Sequence, residues 1–232
     1  MSVAAPPPSS PPPPRPPGEP FTVAELADRF GSLPAGRVHT KPAPGTATRA
    51  DADRLRAAGH LCEFVEGTLI EKAVSQETSF IAARLIWLLT TFTEERNVGM
   101  ALSPDCFVDL YGGTLQRAPD VSVVLDEDQP GGPISRGWAE GAPALCVEVF
   151  STSNTLAEMR RKRVEYFDNG CRCVWVVFGE EAPAGRANTA EVYLPSDPDD
   201  PVRTVRDGET LAGDPVLPGL EVSLAACLRR GA

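Results

Sequence analysis

One acidic residue interrupts the apolar run at 145–150, Leu-Cys-Val-Glu-Val-Phe, and restricts the folds that are open to this chain. Successive side chains of a strand point to opposite faces, so Glu148 points away from Val147 and Val149. A strand this apolar is typical of a sheet covered on both faces, where an unpaired carboxylate is costly. We therefore expect Glu148 to be buried within a sheet and to meet a cation there.

The residues around this run predict a strand-helix-strand unit. We expect a strand at 144–150, a helix at 156–168 and a second strand at 172–178. Thr155 is predicted to cap the helix in a capping box with Glu158. Consecutive parallel strands joined in this way place the connecting helix against one face of their sheet.

Hairpins and further helices are predicted on either side of this unit. Residues 61–65 and 68–72 are separated by Glu66-Gly67, which favours a tight turn between two strands. The other predicted elements are helices at 21–30 (capped by Thr22), 52–58, 77–97 and 224–228, strands near 107–110 and 118–125, and a pair at 190–194 and 202–205. A strand-helix-strand unit among hairpins indicates an α/β fold, a mixed sheet flanked by helices.

Composition divides the chain into three parts. Residues 1–20 are dominated by proline, which lacks a backbone donor and cannot build a core, so we predict a disordered tail. Residues 21–60 are expected to form a helical and loop extension. Residues 61–232 are expected to form one compact domain.

Charge and cysteine content restrict the functional class. The net charge of −10 argues against a general nucleic-acid binder, which usually carries a basic face. Six cysteines without a secretory signal are expected to be free thiols in a cytoplasmic protein, and no apolar run approaches the roughly 20 residues that span a membrane. A zinc site at Cys171-x-Cys173 is disfavoured, because there is no second cysteine pair and the only histidines are His39 and His60.

Three residues in the middle of the chain form a candidate site. Asp120 follows Pro119 at the entrance of the valine-rich run 121–124, Glu148 lies in the second strand, and Lys162 lies on the predicted helix. Each has a simpler interpretation. Asp120 is equally typical of a polar strand end, and Lys162 lies in a basic run whose arginines, Arg160, Arg161 and Arg163, we interpret as a solvated face. The acidic run 126–128 is interpreted as a solvated turn.

The ordered set of motifs resembles the Uma2 family of restriction-endonuclease-like nucleases. The resemblance covers roughly residues 21–228 and is carried by the segments 62–71, 117–121, 145–151, 174–177 and 214–219, with Lys162, Tyr166 and Gly170. It implies the PD-(D/E)xK fold. Two positions depart from the pattern: Phe150 stands where the superfamily usually has its lysine, and Thr78 stands where family members often have a histidine.

The resemblance also implies a site and a chemistry. Asp120, Glu148 and the main-chain carbonyl of Val149 would hold Mg²⁺, with Mn²⁺ as a possible substitute. Lys162 would orient the attacking water or stabilise the transition state. Glu63 or Glu66 would complete the shell or hold a second ion, unless they are strand-edge and turn residues.

Two functions follow as expectations. The first is a Mg²⁺-dependent endonuclease that hydrolyses phosphodiester bonds of nucleic acid, DNA in particular, and a homodimer would suit the cutting of two strands. The second is a catalytically inactive nuclease-fold module that binds nucleic acid or a protein partner. The second is favoured by the negative charge and the displaced lysine. The first is favoured by the basic residues expected near the site, Arg117, Arg160, Arg161, Arg163 and Arg172.

Overall fold

The computed structural model describes residues 18–31, 33–129 and 139–229. The predicted disordered tail lies outside these residues except for positions 18–20. The helices are α1 (Val23–Phe30), α2 (Arg49–Ala57), α3 (Gln76–Arg96), α4 (Leu156–Asp168) and α5 (Leu224–Leu228). None of the helices in this part of the chain has the length and apolar character that a membrane crossing requires.

A six-stranded mixed sheet forms the centre of the fold. In spatial order its strands are β11 (Arg203–Arg206), β10 (Thr189–Tyr193), β9 (Cys173–Phe178), β8 (Leu145–Phe150), β6 (Val121–Leu125) and β3 (Gly99–Leu102). Strands β8 and β9 are parallel and joined by α4, whereas the other neighbours are antiparallel. The predicted mixed sheet and strand-helix-strand unit are confirmed.

A second sheet of five strands contains the predicted N-terminal hairpin. Its spatial order is β2 (Thr68–Glu71), β1 (Cys62–Val65), β5 (Leu115–Arg117), β4 (Val108–Leu110) and β7 (Ala139–Glu140), and a separate pair is formed by β12 (Thr210–Ala212) and β13 (Glu221–Ser223). Only residues 121–125 of the strand predicted at 118–125 join the central sheet. Residues 115–117, just before the predicted strand, form β5, which pairs with β1 and β4. The short segment 118–120 then connects the five-stranded sheet to the start of β6.

The side chains of β8 alternate between two cores. Val147 and Val149 pack with α3 residues, including Leu85, on one face. Cys146 and Phe150 pack on the other face with α4 residues that include Met159 and Tyr166. Glu148 points to this second face and is only 3% exposed, as the alternation of the strand predicted.

The turn between β1 and β2 has the predicted hairpin geometry. Glu66 has φ 50° and Gly67 has φ 69°, so both central residues are left-handed, as a two-residue type I′ turn requires. A Cβ atom on Gly67 would lie 2.5 Å from the Gly45 carbonyl oxygen. Only glycine therefore satisfies both the backbone angle and the close approach of the neighbouring loop.

The start of α4 differs from the prediction in one contact. Thr155 Oγ1 accepts a hydrogen bond from the Glu158 amide at 3.0 Å, so the predicted cap is confirmed. The Glu158 carboxylate accepts two bonds from the Arg37 guanidinium, at 2.8 and 2.9 Å, and does not return to Thr155. The predicted bond from the Thr155 amide to the Glu158 carboxylate was therefore wrong. A bidentate arginine contact is stronger than a bond to one backbone amide, so Glu158 pairs with Arg37.

Residues 21–60 pack closely on the rest of the fold. Phe21 and Phe30 belong to the same buried cluster as Tyr166. Val38 forms a β-bridge with Ile70 at the edge of the five-stranded sheet. This packing places the N-terminal segment over the hairpin that borders the candidate site.

Candidate active site

Asp120 and Glu148 lie side by side on one face of the central sheet. Strands β6 and β8 are antiparallel with Val121 opposite Val147, and Asp120 directly precedes β6. The Val149 amide donates a hydrogen bond to Asp120 Oδ2 at 2.8 Å, which fixes the Asp120 carboxylate against β8. The two predicted acids are therefore brought to neighbouring positions by the pairing of β6 with β8.

Lys162 reaches both Glu148 and Glu63 from α4. Its Nζ atom lies 2.9 Å from Glu148 Oε2 and 3.1 Å from Glu63 Oε1. The Lys162 side chain is 4% exposed, so it is buried between Glu63 of β1 and Glu148 of β8. The helix places the cation inward because Met159 and Tyr166, on the same face, are anchored in the core.

A second lysine completes the site and was missed by sequence analysis. Lys72 directly follows β2, and its Nζ atom lies 3.0 Å from Asp120 Oδ1 and 2.5 Å from the Ala118 carbonyl oxygen. The chain contains only three lysines, Lys41, Lys72 and Lys162. Most basic residues of the chain are arginines, so a rare lysine at the end of an apolar hairpin was the sequence signal that could have indicated a functional role for Lys72.

Glu63 is a buried anchor of the site. Its Oε2 atom accepts a bond from Arg117 Nη1 at 2.7 Å, and its Oε1 atom accepts one from the Ala118 amide at 3.2 Å. Burial acts to raise the pKa of Glu63, but Lys162 and Arg117 outweigh it and hold that pKa well below the usual range. Glu63 is therefore ionised, and both of its oxygen atoms have protein donors.

Glu148 also accepts two hydrogen bonds, but its surroundings favour the charged carboxylate less than those of Glu63 do. Tyr166 donates its hydroxyl to Glu148 Oε1 at 2.6 Å, and Lys162 occupies Oε2. Burial raises the pKa of Glu148 to about 7; Lys162 opposes this shift, and the neighbouring Asp120 charge adds to it. The charge of Glu148 thus depends on how many cations lie next to it.

The arginines of α4 do not form the solvated basic face that we predicted. Arg161 and Arg163 are 8% and 6% exposed. Arg161 donates to Glu66 Oε1 at 2.7 Å and to Glu165 Oε1 at 2.6 Å, and the Arg163 guanidinium lies over the Tyr193 ring. The interpretation was wrong for Arg161 and Arg163, which are paired inside the protein, whereas Arg160 is partly exposed and pairs with Asp199.

The predicted acidic turn at 126–128 agrees with the structure. Residues 126–128 form a short exposed 3₁₀ turn, and Glu127 and Asp128 pair with Arg172 at 2.7 and 2.5 Å. Arg172 is therefore directed toward this turn and does not contact Asp120 or Glu148.

Comparison with known proteins gives a family and a fold. The sequence profile of the Uma2 family, described as "Putative restriction endonuclease", matches residues 50–225. Among solved structures, the fold is similar to a protein from Anabaena variabilis ATCC 29413 described as "a putative nuclease belonging to DUF820", with a TM-score of 0.59 and 18% sequence identity over 86% of this chain and 95% of that one. No curated protein matches the chain significantly. The solved structure supports the restriction-endonuclease-like fold, and the family match extends over most of the chain.

Proposed function

Since the chain belongs to the Uma2 family of restriction-endonuclease-like nucleases, we propose that it is a Mg²⁺-dependent endonuclease that hydrolyses phosphodiester bonds of DNA. Mn²⁺ is the expected substitute ion. The observation that carries the proposal is the Asp120–Glu148 pair on one sheet face, with Lys72 on the first acid and Lys162 on the second. Paired carboxylates with neighbouring ammonium groups are the side chains that metal-assisted phosphoryl transfer needs.

The donor set fits a hard divalent cation. Asp120 and Glu148 offer carboxylate oxygens on the same face, and the Asp120 side chain is 15% exposed, so an ion can enter from its side. An ion between the acids would take the place of Lys72 at Asp120 Oδ1. We propose Asp120, Glu148 and the Val149 carbonyl as ligands.

Glu63 and Glu66 have other roles in this proposal. Glu63 is fully buried and is held by Arg117, Lys162 and the Ala118 amide, whereas an ion can enter from the side of Asp120, which is 15% exposed. Glu66 is held by Arg29 and Arg161 at the hairpin turn. We therefore assign Glu63 to the positioning of Lys162, and Glu66 to the attachment of the hairpin to α4.

The two lysines are equally buried, with side chains 3% and 4% exposed, but they pair with different acids. A bound Mg²⁺ would supply positive charge at the scissile phosphate and acidify the attacking water. Lys162, enclosed by Glu148 and Glu63, keeps the Glu148 carboxylate oriented and charged. Lys72 contacts Asp120, whose side chain is 15% exposed, and an ammonium group released from that carboxylate would meet a phosphate oxygen and stabilise its charge in the transition state.

The proposal is tested by nicking of supercoiled plasmid in Mg²⁺. The wild-type chain should convert the plasmid to open circles, EDTA should stop the reaction, and Asp120→Asn and Glu148→Gln should abolish it while the circular dichroism spectrum is retained. Glu127→Gln, at the exposed turn, is the matched control and should cut normally. Cleavage by both active-site variants would overturn the assignment of the acids, and cleavage of RNA alone would overturn the choice of DNA.

A second candidate function is supported by the pairing of the basic residues. Every arginine that sequence analysis placed near the site contacts protein groups: Arg117 with Glu63 and Glu165, Arg160 with Asp199, Arg161 with Glu66, Arg163 with the Pro198 carbonyl, and Arg172 with Glu127. A site with so few available cations holds a phosphate backbone weakly. The alternative is a catalytically inactive module that binds nucleic acid or a protein partner. A folded wild type without Mg²⁺ binding in calorimetry and without nicking would select it.

A cytoplasmic location is part of the proposal. All six cysteines are free, and five of them are buried. Free thiols in such number are typical of a reducing compartment. A homodimer that presents two sites to two strands remains a prediction for sedimentation measurements.

A further inference from the structure

The two histidines of the chain meet at a single carboxylate. His39 and His60 are the only histidines present, and they are separated by helix α2. His39 Nε2 lies 2.8 Å from Glu71 Oε2, and His60 Nδ1 lies 3.5 Å from Glu71 Oε1. The imidazole rings are 5.6 Å apart and nearly perpendicular, and one nitrogen of each ring lies near the Glu71 carboxylate.

We propose that His39, His60 and Glu71 form a binding site for a divalent transition metal, Zn²⁺ in particular. Their ligand atoms all lie within 4.8 Å of one another. Bonds of about 2.0–2.1 Å to imidazole and carboxylate in tetrahedral geometry separate ligand atoms by roughly 3.3 Å, so small side-chain rotations bring the three atoms to a zinc ion. Two imidazoles and one carboxylate are a zinc-type donor set, whereas Mg²⁺ prefers oxygen ligands alone.

The backbone holds the three ligands in place before any ion binds. The His39 amide donates to the Leu69 carbonyl at 2.9 Å, and the His60 amide donates to the Leu55 carbonyl at 3.1 Å at the end of α2. The Glu71 carbonyl accepts a bond from Arg37 Nε at 2.8 Å. Because three separate chain segments are fixed at one point, ion binding would order few additional residues, which favours affinity.

The site is open to solvent. The side chains of His39, His60 and Glu71 are 24%, 47% and 33% exposed. An ion can therefore enter without unfolding the surroundings, and water can fill the fourth position. This openness distinguishes the site from a closed structural zinc centre with four protein ligands.

The site lies on the opposite side of the hairpin from the candidate active site. Glu71 and Lys72 are consecutive in an extended segment, so their side chains point in opposite directions. Lys72 points to Asp120, and Glu71 points to the histidines. A zinc ion would join the segments around His39 and His60 to Glu71 at the end of β2. None of these ligands belongs to the proposed nuclease site, so zinc binding can be tested independently of nuclease activity.

The test is a titration of the full chain with Zn²⁺ in competition with a chromophoric zinc chelator, in the presence of a phosphine reductant. The wild type should bind one equivalent. Loss of a group that only hydrogen-bonds to a metal ligand weakens metal binding about 10–100-fold, so His39→Gln, His60→Gln and Glu71→Gln, which remove direct ligands, should weaken it by about 100-fold or more. Zn²⁺ should also raise the thermal midpoint of the wild type and leave that of His60→Gln unchanged.

Matched controls separate this site from other zinc ligands. Asp53→Asn changes an exposed acid on neighbouring α2, Cys106→Ser removes a partly exposed thiol, and Asp120→Asn alters the candidate active site. All three should retain one equivalent at wild-type affinity. Absence of binding by the wild type, unchanged affinity in the three ligand variants, or loss of binding in Cys106→Ser would each overturn the proposal.

Discussion

Lys72 Nζ lies 3.0 Å from Asp120 Oδ1, although the two residues are separated in sequence by the whole of α3 and three strands. The contact joins the N-terminal hairpin of the five-stranded sheet to the first acid of the central sheet. Lys162 pairs with Glu148 in the same way, so two of the three lysines in the chain neutralise the two candidate carboxylate ligands. The site is therefore assembled from both sheets and from the helix between them.

The position of Lys72 predicts opposite effects on catalysis and metal binding. Replacing it with methionine should lower the nicking rate about 10²–10³-fold, the usual cost of removing one group that stabilises transition-state charge. Mg²⁺ should bind at least as tightly, because the ammonium that competes for Asp120 is gone. Initial nicking rates and calorimetry measure the two effects. Lys41→Met, at an exposed position, is the control, and an unchanged rate in Lys72→Met would assign Lys72 to structure alone.

Lys162 is expected to be as important for stability as for activity. Lys162→Met leaves Glu148 buried without its cation, and breaking a buried ion pair from one side costs about 3–5 kcal/mol. The double variant Lys162→Met/Glu148→Gln should recover part of that loss, since the unpaired charge is removed as well. Urea unfolding of the wild type, both single variants and the double variant gives the coupling free energy. Additive losses would show that the pair is not coupled.

Glu165 is expected to contribute to stability above the acid range. Burial acts to raise its pKa, but Arg117 and Arg161 outweigh it, and the pKa lies below its usual value of about 4.3. A depressed folded-state pKa gives stability that is present above the unfolded pKa and lost as the pH falls through the folded pKa. The free energy of unfolding should therefore fall less steeply below about pH 4 in Glu165→Gln than in the wild type.

Denaturant unfolding at a series of pH values measures this difference. Glu127→Gln is the control, because its carboxylate is largely exposed, and its pH profile should follow the wild type. Other buried acids, including Glu63 and Glu158, keep part of the acid dependence in every variant. Parallel curves for Glu165→Gln and the wild type would contradict the prediction.

Gly67 and Gly208 form a matched pair for the hairpin next to the site. Both have positive φ, 69° and 83°, but a Cβ on Gly67 would lie 2.5 Å from the Gly45 carbonyl oxygen, whereas nothing lies within 4 Å at Gly208. Gly208→Ala should cost about 1–2 kcal/mol from the left-handed backbone alone. Gly67→Ala should cost measurably more, because the loop at Gly45 must also move. Equal losses of unfolding free energy in the two variants, measured by thermal or urea unfolding, would show that the loop at Gly45 moves without a measurable cost.

Local structure was predicted well where its causes lie within a few residues. The Glu66-Gly67 turn, the Thr22 cap and the burial of Glu148 follow from backbone sterics, a capping side chain and strand alternation. Helix α2 began three residues earlier than predicted, at Arg49, because a capping box of Thr48 with Asp51 was overlooked. That signal was present in the sequence.

The ion pairs of the site were not predictable in the same way. Glu158 accepts hydrogen bonds from Arg37, which is 121 residues away in sequence, and therefore does not complete the capping box. Lys72 pairs with Asp120, which follows it in sequence after α3 and three strands. The spacing of Arg161 and Arg163 was compatible with a wet helix face, yet both are buried. Whether a basic side chain meets water or a carboxylate depends on which element covers it.

The sequence by itself determined that two acids would lie in or beside buried strands, that a strand-helix-strand unit would carry the second acid, and that a cation had to reach Glu148. Periodicity and the cost of burying a charge are sufficient for those conclusions. Only the tertiary structure decided which cation meets which acid, and that the two histidines converge on Glu71. Such contacts join side chains from separate elements, so they depend on the order and register of the strands, which no local pattern of residues encodes.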